Sequence, residues 1–284
     1  MTLPDLFAPL IASFAITIFI LFLARTVAHR SPQAASYLAE SIAPGAGFLG
    51  GSLQVRGFPK FPPIDSTGWL WWMIVLILLL APFRKRLPGF EKIFPPTALA
   101  ILSFLLLKPF IGRSWNGFET VASIVGTFLI WFVGYFLIGR IRHAPRPSQP
   151  LFLLAIGTMA LAILLTLSGT LSYGLYALAL SDVIAASALW SIRPFLRTPL
   201  LDSGPAAIVI AIPWIGLLLG GYFFAQLPVV AAILAVFALT TFALPEIPKL
   251  RRLPAVPFFL LQLTWLLLPL LLAIFSTGKI NSRF

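Results

Sequence analysis

Apolar runs long enough to cross a bilayer follow one another along almost the whole chain, and most of them end in Arg or Lys. Trp69–Phe83 is followed by Arg84-Lys85-Arg86, and Val121–Ile138 by Arg140, Arg142 and Arg146. In hydrocarbon there is no water to satisfy backbone N–H and C=O groups, so a spanning segment is either a helix or a strand of a closed barrel. Barrel strands alternate polar and apolar residues. Ile74-Val75-Leu76-Ile77-Leu78-Leu79-Leu80 does not alternate. The expected fold is therefore all-α: a polytopic integral membrane helix bundle, with residues 1–284 forming a single transmembrane domain.

Charge content supports the same solvent. Only 10% of the residues are charged, against about a quarter in a soluble domain, so a water-soluble or disordered chain is excluded. The net charge is +12, from 20 Lys and Arg against 8 Asp and Glu. In a soluble protein that excess would suggest nucleic acid. Here it lies in short connectors, where the positive-inside rule puts it, and no nucleic-acid partner is expected. The expected partners are the lipid bilayer, with anionic headgroups at the basic loops, and other membrane subunits. The chain has no cysteine, which removes disulfides, thiolate metal sites and thiol nucleophiles. Its two histidines, His29 and His143, fall at loop positions and not at the depth where a haem would need them. No cofactor and no metal site is expected. Leu6–Leu23 lacks a basic flank before it and exceeds a signal-peptide core, so it reads as the first membrane helix.

About nine spans are expected, within a range of eight to ten: Leu6–Leu23, Trp69–Phe83, Phe94–Phe110, Val121–Ile138, Leu151–Leu167, Leu171–Trp190, Ala206–Phe224, Leu227–Leu244 and Val256–Phe275. Every second connection is basic. Arg84, Lys85, Arg86 and Lys92 share one, Arg140, Arg142 and Arg146 the next, then come Arg193 with Arg197, and Lys249 with Arg251 and Arg252. These are assigned to the cytoplasmic side of an inner (plasma) membrane. Parity then puts the N-terminus in the cytoplasm, with residues 31–67 and the C-terminus outside. Arg25 and Arg30 fit this poorly. The rival arrangement starts outside and lets Ala34–Leu53 cross or re-enter, but Glu40, Pro44, Gly45, Gly47, Gly50 and Gly51 make that stretch a poor helix by composition. Within 31–67, Ser31-Pro32 reads as an N-cap with Pro in the first turn. A short interfacial helix carrying Tyr37, Leu38 and Ile42 is expected to follow. Trp69, Trp71, Trp72, Trp115 and Trp190 sit at span ends, as headgroup anchors do.

Asp182 is the most unusual residue. It lies mid-span, where a carboxylate costs about 2.5 kcal/mol or more and is a functional candidate by default. Its neighbours Ala179, Ala185 and Ala186 are small, so the acid is expected to face the bundle, with Ser181 beside it. The alternative is a packing role, bonded to Thr158, Thr166, Thr240, Thr241 or Gln262. Gly216 and Gly220 form a GxxxG pair suited to close helix packing, and Pro213 in the same span supplies a kink or hinge. Lys108, Arg113 and Glu119 suggest an interfacial ion pair. Glu40, Arg56 and Asp65 are the remaining charged group, expected together on the outer loop as a possible enzymatic site.

No phosphate-binding loop, dinucleotide glycine motif, HExxH or GxSxG occurs. Three classes follow. The first is a small-solute or ion transporter using Asp182 as a proton or cation site. The second is a non-catalytic subunit or scaffold of a membrane complex. The third, an enzyme acting on lipid-linked substrates at the outer loop, has least support, so enzymatic activity is not the expectation.

Overall fold

The computed structural model describes residues 3–28, 30–63, 65–80, 90–111, 115–143, 148–192, 204–251 and 253–281. The basic clusters at 84–86, 113, 146, 193–197 and 252, and His29, lie outside the described residues. The chain is an all-α bundle: α1 (Leu3–Ala28), α2 (Pro32–Tyr37), a π turn (Leu38–Ile42), α3 (Ala43–Arg56), α4 (Ser66–Leu80), α5 (Phe90–Leu107), α6 (Gly117–Gly139), α7 (Ser148–Leu167), α8 (Leu171–Ile192), α9 (Gly204–Phe224), α10 (Val229–Ala238), a 3-10 segment (Leu239–Glu246), α11 (Pro248–Arg251) and α12 (Ala255–Asn281). Among the described residues seven helices are long and apolar enough to cross a membrane, and Ser66–Leu80 and Ile93–Leu107 are shorter apolar helices. Large apolar side chains cover the outside, among them Ile11, Phe19, Phe132, Ile233, Leu268 and Phe275, as lipid contact requires.

One expectation fails at 31–67. The short helix expected after Ser31-Pro32 does not give way to an irregular connection until Gly57: the stretch is helical from Pro32 to Arg56, its one irregularity the π turn. Ser31 does cap the start, its hydroxyl accepting from the Ala34 N–H at 3.3 Å. The helix then passes between α1 and α8. Ala39, Glu40, Ser41, Ala43, Gly47, Phe48 and Gly51 are buried. The glycines that argue against a helix by propensity are what let it fit. A Cβ on Gly47 would lie 2.0 Å from Thr17 Oγ1 and 3.0 Å from Val183, and one on Gly51 would lie 2.9 Å from both Ser13 and Ala179. Small residues in a membrane helix exchange propensity for close approach. Pro44 is tolerated because the turn before it widens. The Ala43 N–H reaches back to the Leu38 carbonyl, relieving the clash a proline makes with the carbonyl four residues earlier. Gly57, at φ +74°, ends the helix with its N–H on the Leu53 carbonyl at 2.8 Å.

Long helices that follow one another in the chain run antiparallel, so the bundle has two ends. At one end Tyr37 Oη donates to the Leu78 carbonyl at 2.5 Å, and Trp190 packs with Leu21, Ala24 and Ala39. There too Arg140 pairs with Glu246, and Gln149 Nε2 donates to Gln262 Oε1 at 2.8 Å. Every connector expected to be basic leaves from this end. Trp190 is 8% exposed and packs helices together, so it is not a headgroup anchor. At the other end, Phe110 stacks on Trp115 at 4.9 Å and touches Phe223 and Phe224. α9 is the most enclosed helix, and α1, α6 and α12 are the least.

Candidate functional site

A cavity of about 340 Å³ opens at the end of the bundle opposite the basic connectors. α3 supplies Phe48, Ser52 and Arg56; the connector supplies Phe58, Lys60 and Asp65; α4 supplies Thr67, Leu70 and Trp71; Tyr176 of α8 and Leu217 of α9 close it below. Its volume falls in the range of small-molecule sites, which combine apolar walls with a few placed polar groups.

Local sequence explains the geometry. Asp65 precedes α4 and caps it: Oδ1 accepts the Gly68 N–H at 2.7 Å. Its other oxygen accepts from Arg56 Nη1 at 2.7 Å, and the same Nη1 reaches Thr67 Oγ1 at 3.4 Å. One carboxylate thus fastens the end of α3 to the start of α4. Arg56 and Asp65 side chains are 53% and 52% exposed, so this tie contributes little to stability; its effect is to aim the guanidinium. The remaining Arg56 donors and Lys60 make no described hydrogen bond. The indole N–H of Trp71 also lacks an acceptor among the described residues. Just outside, Ser66 and Tyr173 hydroxyls meet at 2.9 Å. Phe58 packs edge-on against Trp71 at 5.0 Å and Trp72 at 5.9 Å, and Phe61 against Trp72 at 5.3 Å, giving the mouth an aromatic rim.

Of the three charged residues expected together on a loop, the structure joins Arg56 and Asp65 and separates Glu40. Roughly 24 Å of helix lies between Glu40 and Arg56 at 1.5 Å per residue. Glu40 occupies the π turn, is 3% exposed, and takes a hydrogen bond from Ser36 on Oε1. Its Oε2 has no partner among the described residues. Glu40 and Asp65 therefore cannot act as a pair. Buried acids in π turns recur at functional sites; the sequence signal here was a carboxylate just before Pro44 in a stretch otherwise free of charge between Arg30 and Arg56.

Asp182 lies at the edge of the packed face of α8. At 100° per residue, Leu175 and Ala186 on one flank of it are buried, while on the other Leu178 is half-buried and Leu171 and Leu189 are exposed; Asp182 itself is half-buried. It makes no described hydrogen bond or ion pair. Each proposed partner bonds elsewhere: Thr158 to Leu154, Thr166 to Ala162, Thr240 to Phe237 and Trp265, and Thr241 to Gln262. Ser181 turns the other way and donates to the Ala155 carbonyl of α7 at 2.9 Å.

Gly216 and Gly220 behave as packing positions. A Cβ on Gly216 would lie 2.3 Å from Leu70, and one on Gly220 2.8 Å from Tyr173. Pro213 lies within α9. Glu119 is a capping residue, not half of an ion pair with Lys108. Its carboxylate accepts the Asn116 N–H at 3.0 Å while Asn116 Oδ1 accepts the Glu119 N–H at 2.9 Å. Arg113 lies outside the described residues. Among those described, no group of three or more His, Cys, Asp or Glu side chains comes together. The chain matches no protein-family model, no curated protein and no solved structure.

Proposed function

We propose that the protein transports small solutes across the membrane, receiving them in the cavity between α3, α4, α8 and α9. The observation that carries this reading is the course of residues 32–56. One helical segment lines the cavity with Ser52 and Arg56, packs through glycines against α1 and α8, and widens at a π turn holding a buried acid. π bulges gather at functional sites, and ionisable groups at membrane depth mark solute and proton pathways. Glu40 serves this role better than Asp182, because it lies on the cavity-lining segment and inside the bundle. Orientation follows the same segment. If residues 32–56 cross, the N-terminus lies outside, and Arg25 and Arg30 join the other basic connectors on the cytoplasmic face of an inner membrane. The cavity then opens outward.

Proteoliposome uptake driven by a pH or cation gradient tests this. Glu40→Gln should assemble normally and lose gradient-driven uptake, while Asp182→Asn should retain it. Equal uptake by wild type and Glu40→Gln removes Glu40 from the mechanism. Uptake no faster than in empty vesicles across neutral, anionic and cationic solutes removes transport altogether. The position of Asp182 favours one other reading, a subunit of a membrane complex. A half-buried carboxylate at the edge of the packed face, with no described partner, suits a partner helix, and loss of a stoichiometric co-purifying subunit in Asp182→Asn would support it.

A further inference from the structure

We infer that the outer cavity is a binding site for a small organic anion, one carboxylate or phosphate group on a flat apolar body. This rests on the cavity described above and gives the transport reading its substrate class. The polar groups lining it are unequal in sign. Arg56 and Lys60 oppose a single carboxylate, Asp65, so the charged lining is net positive by one. The carboxylate is also paired before any ligand arrives, one oxygen accepting from the Gly68 N–H and the other from Arg56. A cationic ligand would have to share it with the guanidinium. Donors remain in surplus. A guanidinium has five N–H groups, and the described hydrogen bonds of Arg56 all use Nη1. Lys60 makes none. A free ammonium beside a half-satisfied guanidinium on the cavity wall suits anionic oxygens, which such groups bind with charge-assisted hydrogen bonds. Apart from the Ser52 and Thr67 hydroxyls, the other side chains of the lining are mostly apolar or aromatic, among them Phe48, Phe58, Leu70, Trp71, Tyr176 and Leu217. A bare inorganic ion would leave these walls unfilled; a flat apolar body would occupy them.

The anionic group has two possible sources, a free solute or a lipid headgroup from the adjoining leaflet, and the experiment separates them. Full-length protein in phosphatidylcholine nanodiscs is titrated by calorimetry with benzoate, benzyl alcohol and benzylamine. Benzoate should bind at least about tenfold more tightly than either of the others. Arg56→Gln should erase that preference and Lys60→Gln reduce it. Asp65→Asn, which retains a capping side chain but frees Arg56, should strengthen benzoate binding. Equal binding of the three probes, or a preference unchanged in both Arg56→Gln and Lys60→Gln, overturns the inference. Repeating the titration in phosphatidylglycerol discs identifies the source. Unchanged benzoate affinity marks a solute site; competitive loss marks a site that takes a lipid headgroup. Transport is scored separately. Benzoate binding without uptake into proteoliposomes refutes transport and leaves the anion site standing. Uptake of neutral or cationic solutes with no benzoate binding does the reverse.

Discussion

Replacing Gly47 with alanine tests the course of residues 32–56 at its tightest point. The new Cβ would lie 2.0 Å from Thr17 Oγ1, and 3.0 Å from both the Ser13 carbonyl and Val183 Cγ2. Ordinary contact needs at least about 3.4 Å, so α3 must retreat from α1 or Thr17 must turn. Thr17 is held, because its hydroxyl donates to the Ser13 carbonyl at 2.7 Å inside a fully buried site. Overpacking costs about 1–3 kcal/mol, and a 2.0 Å contact with a held side chain belongs in the upper part of that range, about 2–3 kcal/mol. Alanine returns up to about 1 kcal/mol in helix propensity, leaving a net loss of roughly 1–2 kcal/mol. For a chain of this size that lowers the melting temperature by a few degrees, readable by fluorescence-detected size exclusion after heating in mild detergent. Gly126 of α6 is the control: nothing lies within 4 Å of its Cβ position, so Gly126→Ala should be neutral or stabilising. Thr17→Ala in the Gly47→Ala background should recover part of the loss, as coupled neighbours do. A loop would respond in the opposite sense, since alanine reduces the freedom of an unfolded glycine. If Gly47→Ala matches or exceeds wild type, residues 32–56 do not pack as described.

The absence of native cysteines makes labelling direct. Single cysteines replacing Arg30, Lys85, Arg146 and Arg197 should share one accessibility to a membrane-impermeant maleimide, with a cysteine replacing Lys60 showing the opposite. Opposite labelling at 30 and 85 would restore the nine-span arrangement. Gln262→Leu breaks the link to Gln149 and leaves Thr241 without one of its partners, a loss of about 0.6–1.7 kcal/mol by the measured range for such bonds between membrane helices; an unchanged melting temperature would show that link to be idle. Asp65→Ala removes the α4 cap as well as the ion partner. It should cost about 1 kcal/mol of stability, whereas Asp65→Asn should cost little.

The helices themselves were legible because hydrocarbon imposes the simplest of patterns, an unbroken apolar run. Residues 32–56 were misread for a definite reason. Propensity judges glycine and proline one residue at a time, while the helix is held by Ser13, Thr17, Ala179 and Val183, which are distant in sequence. The same limit applies to Asp182. Small residues three and four positions away suggested an inward face, yet the acid sits at the edge of that face, with Leu175 and Ala186 buried on one flank and Leu171 and Leu189 exposed on the other. Arg56 and Asp65 were identified as a group, but their pairing depended on where α3 ends. Glu119 had a readable local signal, Asn116 three positions before it, and the charge reading obscured that cap.

α9 carries glycine notches that its neighbours fill. Leu70 presses on Gly216, Tyr173 on Gly220 and Leu165 on Gly221, while Trp131 abuts the same face as Leu70. Four separate helices thus key into notches of a fifth. Rotating that shaft would drive all four teeth out of register at once, so any rearrangement of this bundle has to turn about α9 and leave it in place.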